Sequence, residues 1–482
     1  MLVYCVFCSL LILQRPGLQY DESLLVLGAV QMRHSAQEIQ LPHDPHTWLC
    51  VRGRCLPLMT VRYVGAIKEY LCLPLFALFG TTAEVVRGAS VLMGAIGIWG
   101  LGWLLARRVS AGVGVATAWV LAVHPAYVDL TTFDNGTVAV WMAAMGLVAL
   151  ALSRYCERED LGSALLLGIA MGFGIWARSN FLWLLGAGFA GSLVCTRRLP
   201  QWWTGMAGGV MIGAAPWIVY QVISHGGTFE ALGMFAVQDS WGQILSSRLR
   251  MLAESLISDA EHRAIWAGPE LPGWQMWGVL AITLLACGYC LRKKGWPRAF
   301  AITFLVLGAM FFFTRLPVAE HHLIVLLPLA AAMAVMLPRR IALVVGVLYV
   351  ACALWWQVSA IRGIGETGGV GQWSDGMFAL TDYLEQHAQG REVQILDWGL
   401  QNSLFVLSDG RVKSREVFDG NRDWAFEVSK GGIFVMNAPE NRFFPEATNG
   451  FLKALHGAKA KRLAIKGFAE IVEIGPGRDA GG

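Results

Sequence analysis

Charge is scarce in this sequence. Only 15% of its 482 residues are Asp, Glu, Lys or Arg, while 55% are hydrophobic, and mean hydropathy is +0.51. Soluble domains carry roughly 25% charged residues, so a chain this long with so little charge is not an ordinary soluble enzyme. The net charge of +4 is small and does not form the basic stripe of a nucleic-acid binder; no nucleic-acid partner is expected. Internal repeats and low-complexity segments are both lacking. The opening apolar run, Leu2 to Leu13, has no basic residues ahead of it and no small-x-small cleavage site behind it, so it does not read as a cleaved signal peptide. It is short beside the ~20 residues of a full span, and the given start is expected to fall inside the first helix.

Polar neighbours are also missing around most of the ten cysteines. Cys5, Cys8, Cys156, Cys195, Cys287, Cys290 and Cys352 lie in or beside apolar runs, where Cys acts as a small hydrophobe. The CxxC at Cys287 and Cys290 is embedded in such a run, so neither metal nor redox duty is expected there. Cys50 and Cys55 differ, flanking Val-Arg-Gly-Arg in a polar loop. A disulfide there suits an oxidising compartment; two free thiols are the alternative.

What is abundant is apolar runs of membrane-spanning character. Candidate spans are 1–14, 85–106, 111–128, 136–154, 160–177, 181–196, 203–222, 272–291, 297–315, 320–337 and 341–360. The clusters Arg107 and Arg108, Arg154 and Arg158, Arg197 and Arg198, Arg292 with Lys293 and Lys294, and Arg339 and Arg340 then all fall on one side, which the positive-inside rule makes cytoplasmic. The expected protein is therefore an all-α polytopic membrane domain of about eleven helices, residues 1–362. It has a first external loop over 15–84 and a second over 223–271. The apolar stretch 64–80 contains Lys68 and Glu69 and is left out of the count, as an interfacial or re-entrant helix. From about 363 charge returns. Short apolar runs at 393–396 and 432–436 predict strands, and 375–389 predicts an amphipathic helix. Residues 363–482 are therefore expected to form a small external α/β domain with a frayed end.

Polar residues of varied chemistry gather at the outer ends of these runs: Asp129 and Asp134, Arg178 with Asn180, then Arg315, Glu320, His321 and His322. All ten histidines fall outside the spans or at their outer ends. Ionisable groups at membrane depth are costly and tend to mark function. The sharpest feature is Tyr20-Asp21-Glu22, two adjacent carboxylates just beyond the first run. Acids at the first turn of a helix also suit its dipole, so a merely structural role is the competing explanation.

A short first span, then Asp21-Glu22, some forty external residues, then the run 63–80, YVGAIKEYLCLPLFALFG, resembles the membrane glycosyltransferases of the aminoarabinose-transferase and protein O-mannosyltransferase type. Arg87 before an apolar span, His124-Pro125, Asp134, Arg178 and Glu320-His321-His322 follow in the same order as in that group. The resemblance covers roughly 1–360; it rests on the ordered set, since no single motif is specific. Two departures are the short first span and Ala66-Ile67-Lys68 in place of a basic-Pro-Pro element. The resemblance implies a C-type glycosyltransferase fold, an active site at the outer membrane face, and sugar donors on polyprenyl phosphate, with membrane lipids around the chain.

On that resemblance Asp21 is the expected base, taking the proton of an acceptor hydroxyl or amine, with Glu22 orienting it. Lys68, Arg178 and His321 or His322 are expected to meet the leaving phosphate. Tyr63, Tyr70 and Asp134 complete the expected substrate-binding set. The competing explanations are snorkelling for Lys68, an inverted topology marker for Arg178, and a polar helix end for the histidines. Asp21, Glu22, Asp134 and His321 could together supply ligands to a divalent ion, though no spacing decides it. The rival function is a transporter or flippase of lipid-linked sugars. It predicts charge deep within spans and paired discontinuous helices.

Overall fold

The computed structural model describes residues 1–34, 44–196, 200–234, 237–257, 259–418, 422–456 and 459–475. His43, the Arg197 and Arg198 pair and the terminal segment 476–482 lie outside the described residues. The rest is mostly helical, with a five-stranded sheet near the C-terminus.

Four helices are long and apolar enough to cross a membrane alone: Ala83–Arg108, Asn135–Arg158, Gly273–Leu291 and Arg339–Thr367. Two bent pairs raise this to six, Ala111–Val123 with Pro125–Phe133 (63°) and Trp203–Gly213 with Ala215–Ile223 (64°). Pro125 and Pro216 stand at the starts of the second halves. A ring that cannot donate a backbone hydrogen bond is a sufficient cause of each bend. The remaining expected runs fall on shorter apolar helices of 10–17 residues.

Small residues let these helices approach closely, the usual solution where lipid removes the hydrophobic drive between helices. A Cβ on Gly100 would sit 2.1 Å from the Gly146 carbonyl, and one on Gly168 2.0 Å from the Met206 carbonyl. Exposed Leu, Val and Trp side chains coat the outside, Trp99, Trp103, Leu343 and Val347 among them.

The ends of Ala83–Arg108 and Asn135–Arg158 and the start of Trp203–Gly213 meet at one end of the bundle. Arg107 pairs with Glu157 at 2.9 Å, the Tyr155 hydroxyl donates to the Gln201 carbonyl, and Trp202 donates to the Glu159 carbonyl. The varied polar turns, with Arg178, Asp134 and His321, meet at the other end.

Between the first helix and Ala83–Arg108 the chain makes two small antiparallel ladders and a helix. Strands Trp48–Val51 and Arg54–Pro57 form a hairpin turned by Arg52 (φ 51) and Gly53 (φ 79), which sets Cys50 opposite Cys55, and the two are bonded. Met59–Val61 pairs with Val64–Gly65. The stretch left out of the span count becomes Ile67–Phe79, thirteen residues with Pro74 inside.

The C-terminal sheet has the spatial order Ser414–Glu416, Val393–Ile395, Gly432–Asn437, Ala469–Ile474, Ala460–Ile465. Its first three strands are parallel and its last two antiparallel. The predicted strands at 393–396 and 432–436 and the predicted helix, here Gly376–His387, are present. The unpredicted hairpin 460–474 turns through Lys466 (φ 47) and Gly467 (φ 65), without the Asn-Gly or Asp-Gly signal that usually marks such turns. This sheet sits at the end of the bundle that carries the varied polar turns. Gly17 N donates to the Trp373 carbonyl at 2.6 Å, and Ser23 and Ser403 hydroxyls lie 3.1 Å apart.

Candidate functional site

Beyond the first helix, Gln19 caps the short helix Tyr20–Leu24. Its side chain accepts from Asp21 N at 2.6 Å, while the Glu22 carboxylate reaches back to Gln19 N at 3.2 Å. Adjacent residues on a helix are turned about a quarter-circle apart, so Asp21 and Glu22 face different surroundings. Glu22 is fully buried against Arg87, which donates Nε to Oε2 at 2.8 Å and Nη2 to Oε1 at 2.9 Å. Arg87 also donates to the carbonyls of Pro16 and Gly17 at 2.8 and 2.7 Å. A buried ion pair needs this full set of bonds to repay its desolvation. Here the set clamps the chain entering the site.

Asp21 turns toward Gly136. The Gly136 peptide lies in a break between two helices, where Asp134 (φ 46), Gly136 (φ 70) and Thr137 (φ 66) all adopt positive φ. Three such residues within four cost conformational energy that the surroundings must hold. Gly136 N–H bonds the Asp21 carboxylate, and the Gly136 carbonyl accepts from Arg178 Nη1. A Cβ here would lie 2.3 Å from His321 Cδ2, so no side chain fits between this peptide and the His321 ring. One residue thus holds a carboxylate and a guanidinium through its two flanking peptides and packs on an imidazole.

Arg178 follows the helix Leu161–Ala177 and stands over the Trp141 ring at 5.3 Å. Burial draws its pKa down to about 10, still high enough to keep it charged at neutral pH. Burial also pushes the Asp21 carboxyl up, a shift opposed by Arg178 and by the Gly136 N–H and reinforced by Asp134 and Glu22. The turn after Leu161–Ala177 is stitched to the first external loop by a bridge between Val64 and Arg178 and a bond from Ser179 N to the Tyr63 carbonyl at 3.1 Å. Gly65 permits this approach, since a Cβ there would sit 2.0 Å from the Trp176 carbonyl.

Of the other expected residues, Lys68 and Asp134 pair with each other at 2.6 Å, both almost fully buried, and Asp134 Oδ1 also accepts from Ala139 N at 2.7 Å. His322 sits beside His321 with rings 4.4 Å apart, and its Nδ1 accepts from Ala319 N. Tyr63 comes next to Arg178 through its backbone. Tyr70 does not join the group; its hydroxyl donates to the Pro57 carbonyl at 2.8 Å. Among the described residues no three His, Cys, Asp or Glu side chains form a group that could hold a metal ion.

Several residues of this region were not singled out from the sequence. Gly136 was marked only by the turn-forming Asn135-Gly136 dipeptide between two apolar runs. Arg87 was named only through the resemblance. Its isolation in an apolar helix was the signal that a buried partner had to exist. Glu69, beside Lys68, served in the sequence only to leave the stretch 64–80 out of the span count. It is buried, accepts from Thr60 at 2.7 Å, and is pushed by burial up to about 8. It lines a cavity of about 830 Å³ between the first external loop and the C-terminal sheet, whose wall begins at Tyr20, next to Asp21.

Residues 68–248 match the family model for dolichyl-phosphate-mannose-protein mannosyltransferase, under half of the chain. No curated protein sequence matches significantly. Among solved structures, ArnT from Cupriavidus metallidurans bound to undecaprenyl phosphate superposes with a TM-score of 0.64 at 12% identity, covering 98% of this chain and 97% of that one. The apo state of the same ArnT superposes at 0.52 with 14% identity, over 98% and 97% of the two chains. The fold is thus that of these ArnT structures.

Proposed function

Taking the C-type membrane glycosyltransferase fold as premise, we propose that this chain transfers a sugar from a polyprenyl-phosphate donor to an acceptor hydroxyl or amine at the outer face of a membrane. The observation that carries this reading is Gly136, which holds the Asp21 carboxylate through its N–H and the Arg178 guanidinium through its carbonyl. An acceptor O–H or N–H attacks the anomeric carbon, the bond from that carbon to the lipid phosphate oxygen breaks, and the acceptor proton passes to Asp21. The raised pKa of Asp21 makes it a better base than an ordinary carboxylate. Arg178 meets the charge that grows on the leaving phosphate, where water is largely excluded. Glu22, locked to Arg87, positions Asp21, and His321 closes the other side of Gly136. ArnT of the same fold binds undecaprenyl phosphate, which supports a lipid phosphate here.

The topology belongs to the same reading. It has eleven spans over residues 1–362, the N-terminus on the cytoplasmic side of the inner membrane, and residues 363–482 as an external domain. The gathering of basic turns at one end and of Asp21, Arg178 and His321 at the other supports it. The flippase reading gains one observation, the two bent helix pairs. Prolines already account for both bends, and the groups gathered here lie at helix ends rather than mid-span.

The test is transfer of radiolabel from polyprenyl-phosphate sugars in proteoliposomes, for wild type and Asp21→Asn. A labelled glycoside from wild type and almost none from Asp21→Asn is expected. Movement of lipid-linked sugar across the bilayer with no glycosidic product would replace the transferase by the flippase.

A further inference from the structure

The short helix Tyr20–Leu24 is a partition. On one side it touches the Gly136 segment; on the other it touches the helix Gln401–Leu407 of the C-terminal domain. On that second side lies the cavity of about 830 Å³. Its wall carries Tyr20, Trp48, Phe405 and Phe418, with Asn402 and Glu416 between them.

The rings are backed from behind. Tyr20 lies against Trp398 with centroids 4.3 Å apart, and Phe418 stacks on Phe444 at 4.4 Å and 9°. Trp398 and Phe418 follow strands Val393–Ile395 and Ser414–Glu416, at the carboxyl ends of two parallel strands, where ligands of open α/β sheets gather. Phe443 and Phe444 are brought there by Asp397, which is fully buried and accepts from the backbone N–H groups of Phe443 at 3.1 Å and Phe444 at 2.9 Å. A buried carboxylate spent on shaping a loop marks the aromatic edge as built.

The polar groups are not all spent. Glu416 Oε1 is buried without a hydrogen-bond partner, and the Tyr20 hydroxyl bonds Asn402. Burial pushes the Glu416 carboxyl up to about 7, so near neutral pH it can accept or donate.

We infer that this cavity is a saccharide site, the C–H face of a pyranose ring lying on Phe418 and Tyr20 and its hydroxyls bonding Glu416 and Asn402. The binding chemistry stands apart from the transferase reading. A volume of this size suits a small ligand, within the ~300–1,000 Å³ of small-molecule pockets, and excludes a folded domain. An extended peptide is the rival, because Ser414–Glu416 is the sheet's edge strand. That edge is only three residues long and carries Arg415 and Glu416, the kind of short, charged edge that resists strand pairing.

The test uses the full chain in lipid nanodiscs and saturation-transfer NMR with methyl gluco-, manno- and galactopyranosides, alongside filter binding of radiolabelled undecaprenyl phosphate. Wild type is expected to saturate the ring C–H protons of at least one glycoside. Phe418→Ala should weaken that binding ~10-fold or more, as truncating an aromatic anchor does, and Glu416→Gln severalfold. Undecaprenyl phosphate binding should not change in either variant. Equal saturation in wild type and Phe418→Ala overturns the site, as does saturation of a Ser-containing peptide and of no glycoside. Glycoside binding that Phe418→Ala abolishes, with no lipid-phosphate binding and no transfer by wild type, keeps the saccharide site and overturns the transferase reading instead.

Discussion

Two sets of carboxylates and cations stand within the same few turns of chain, and they are built differently. In Glu22–Arg87 and Lys68–Asp134 the charges meet directly, at 2.8 and 2.6 Å, and Arg87 and Asp134 also bond backbone groups. In Asp21 and Arg178 the charges meet through the backbone N–H and carbonyl of Gly136, and Asp21 stays partly exposed. The difference teaches where chemistry can happen. A closed pair holds structure; a carboxylate and a guanidinium held apart by one glycine keep capacity for a further partner.

The comparison breaks most sharply if Asp21 proves dispensable. Asp21→Asn is expected to cut transfer ~10²–10⁴-fold, the worth of a positioned general base. Its thermal unfolding and its binding of undecaprenyl phosphate should match wild type. Full turnover in this variant would move the proton acceptor elsewhere.

Arg87→Ala is expected to act on folding, because it leaves Glu22 buried and uncompensated, a loss of about 3–5 kcal/mol. Size-exclusion profiles in detergent should show little monodisperse protein. A variant that stays folded and loses only activity would place Glu22 and Arg87 with the open set.

Arg178→Ala should lower both the turnover and the retention of undecaprenyl phosphate on filters, with turnover down about 10²-fold, as when one donor to a developing anion is removed. Loss of rate with unchanged lipid-phosphate binding would separate Arg178 from the leaving group.

Glu69 sharpens the comparison through pH. Its folded pKa, about 8, lies above its ordinary 4.5, so between those values the folded chain holds a proton that the unfolded chain has released. Stability should therefore fall as pH rises from 4.5 through about 8 and level off above. Glu69→Gln should flatten that slope and raise the apparent Tm at pH 8. Identical pH–Tm curves for variant and wild type would show Glu69 ionised in the fold.

The smallest perturbation tests sidedness. Single cysteines replacing the exposed Ser240 and Ser429 should react with an impermeant maleimide added to intact cells from outside. Reaction of Ser429→Cys only after lysis would reverse the end of the bundle at which substrate is met.

The helices were legible because burial in lipid demands long apolar runs and leaves no alternative to internal hydrogen bonding. The basic turns were legible because charge is excluded from those runs. Asp21, Arg178 and His321 stood out as polar residues at run ends. Their meeting at Gly136 was not legible, because contacts between residues 21, 136, 178 and 321 depend on how four helix ends pack, and glycine carries no polar group to mark it. The C-terminal hairpin 460–474 was missed because its turn residues are unremarkable.

By itself, then, the sequence determined that apolar runs of membrane-spanning character dominate this chain, where basic clusters stand between them, and which polar residues stand at the other run ends. Only the tertiary structure decided which of those polar residues are spent. Glu22 and Asp21 are adjacent and chemically alike in the chain. One faces Arg87 and the other Gly136, because a helix turns successive side chains apart and the packing around it supplies a cation on one side and a backbone N–H on the other. Hydropathy and charge are properties of each residue alone, whereas the state of a carboxylate depends on what is packed against it.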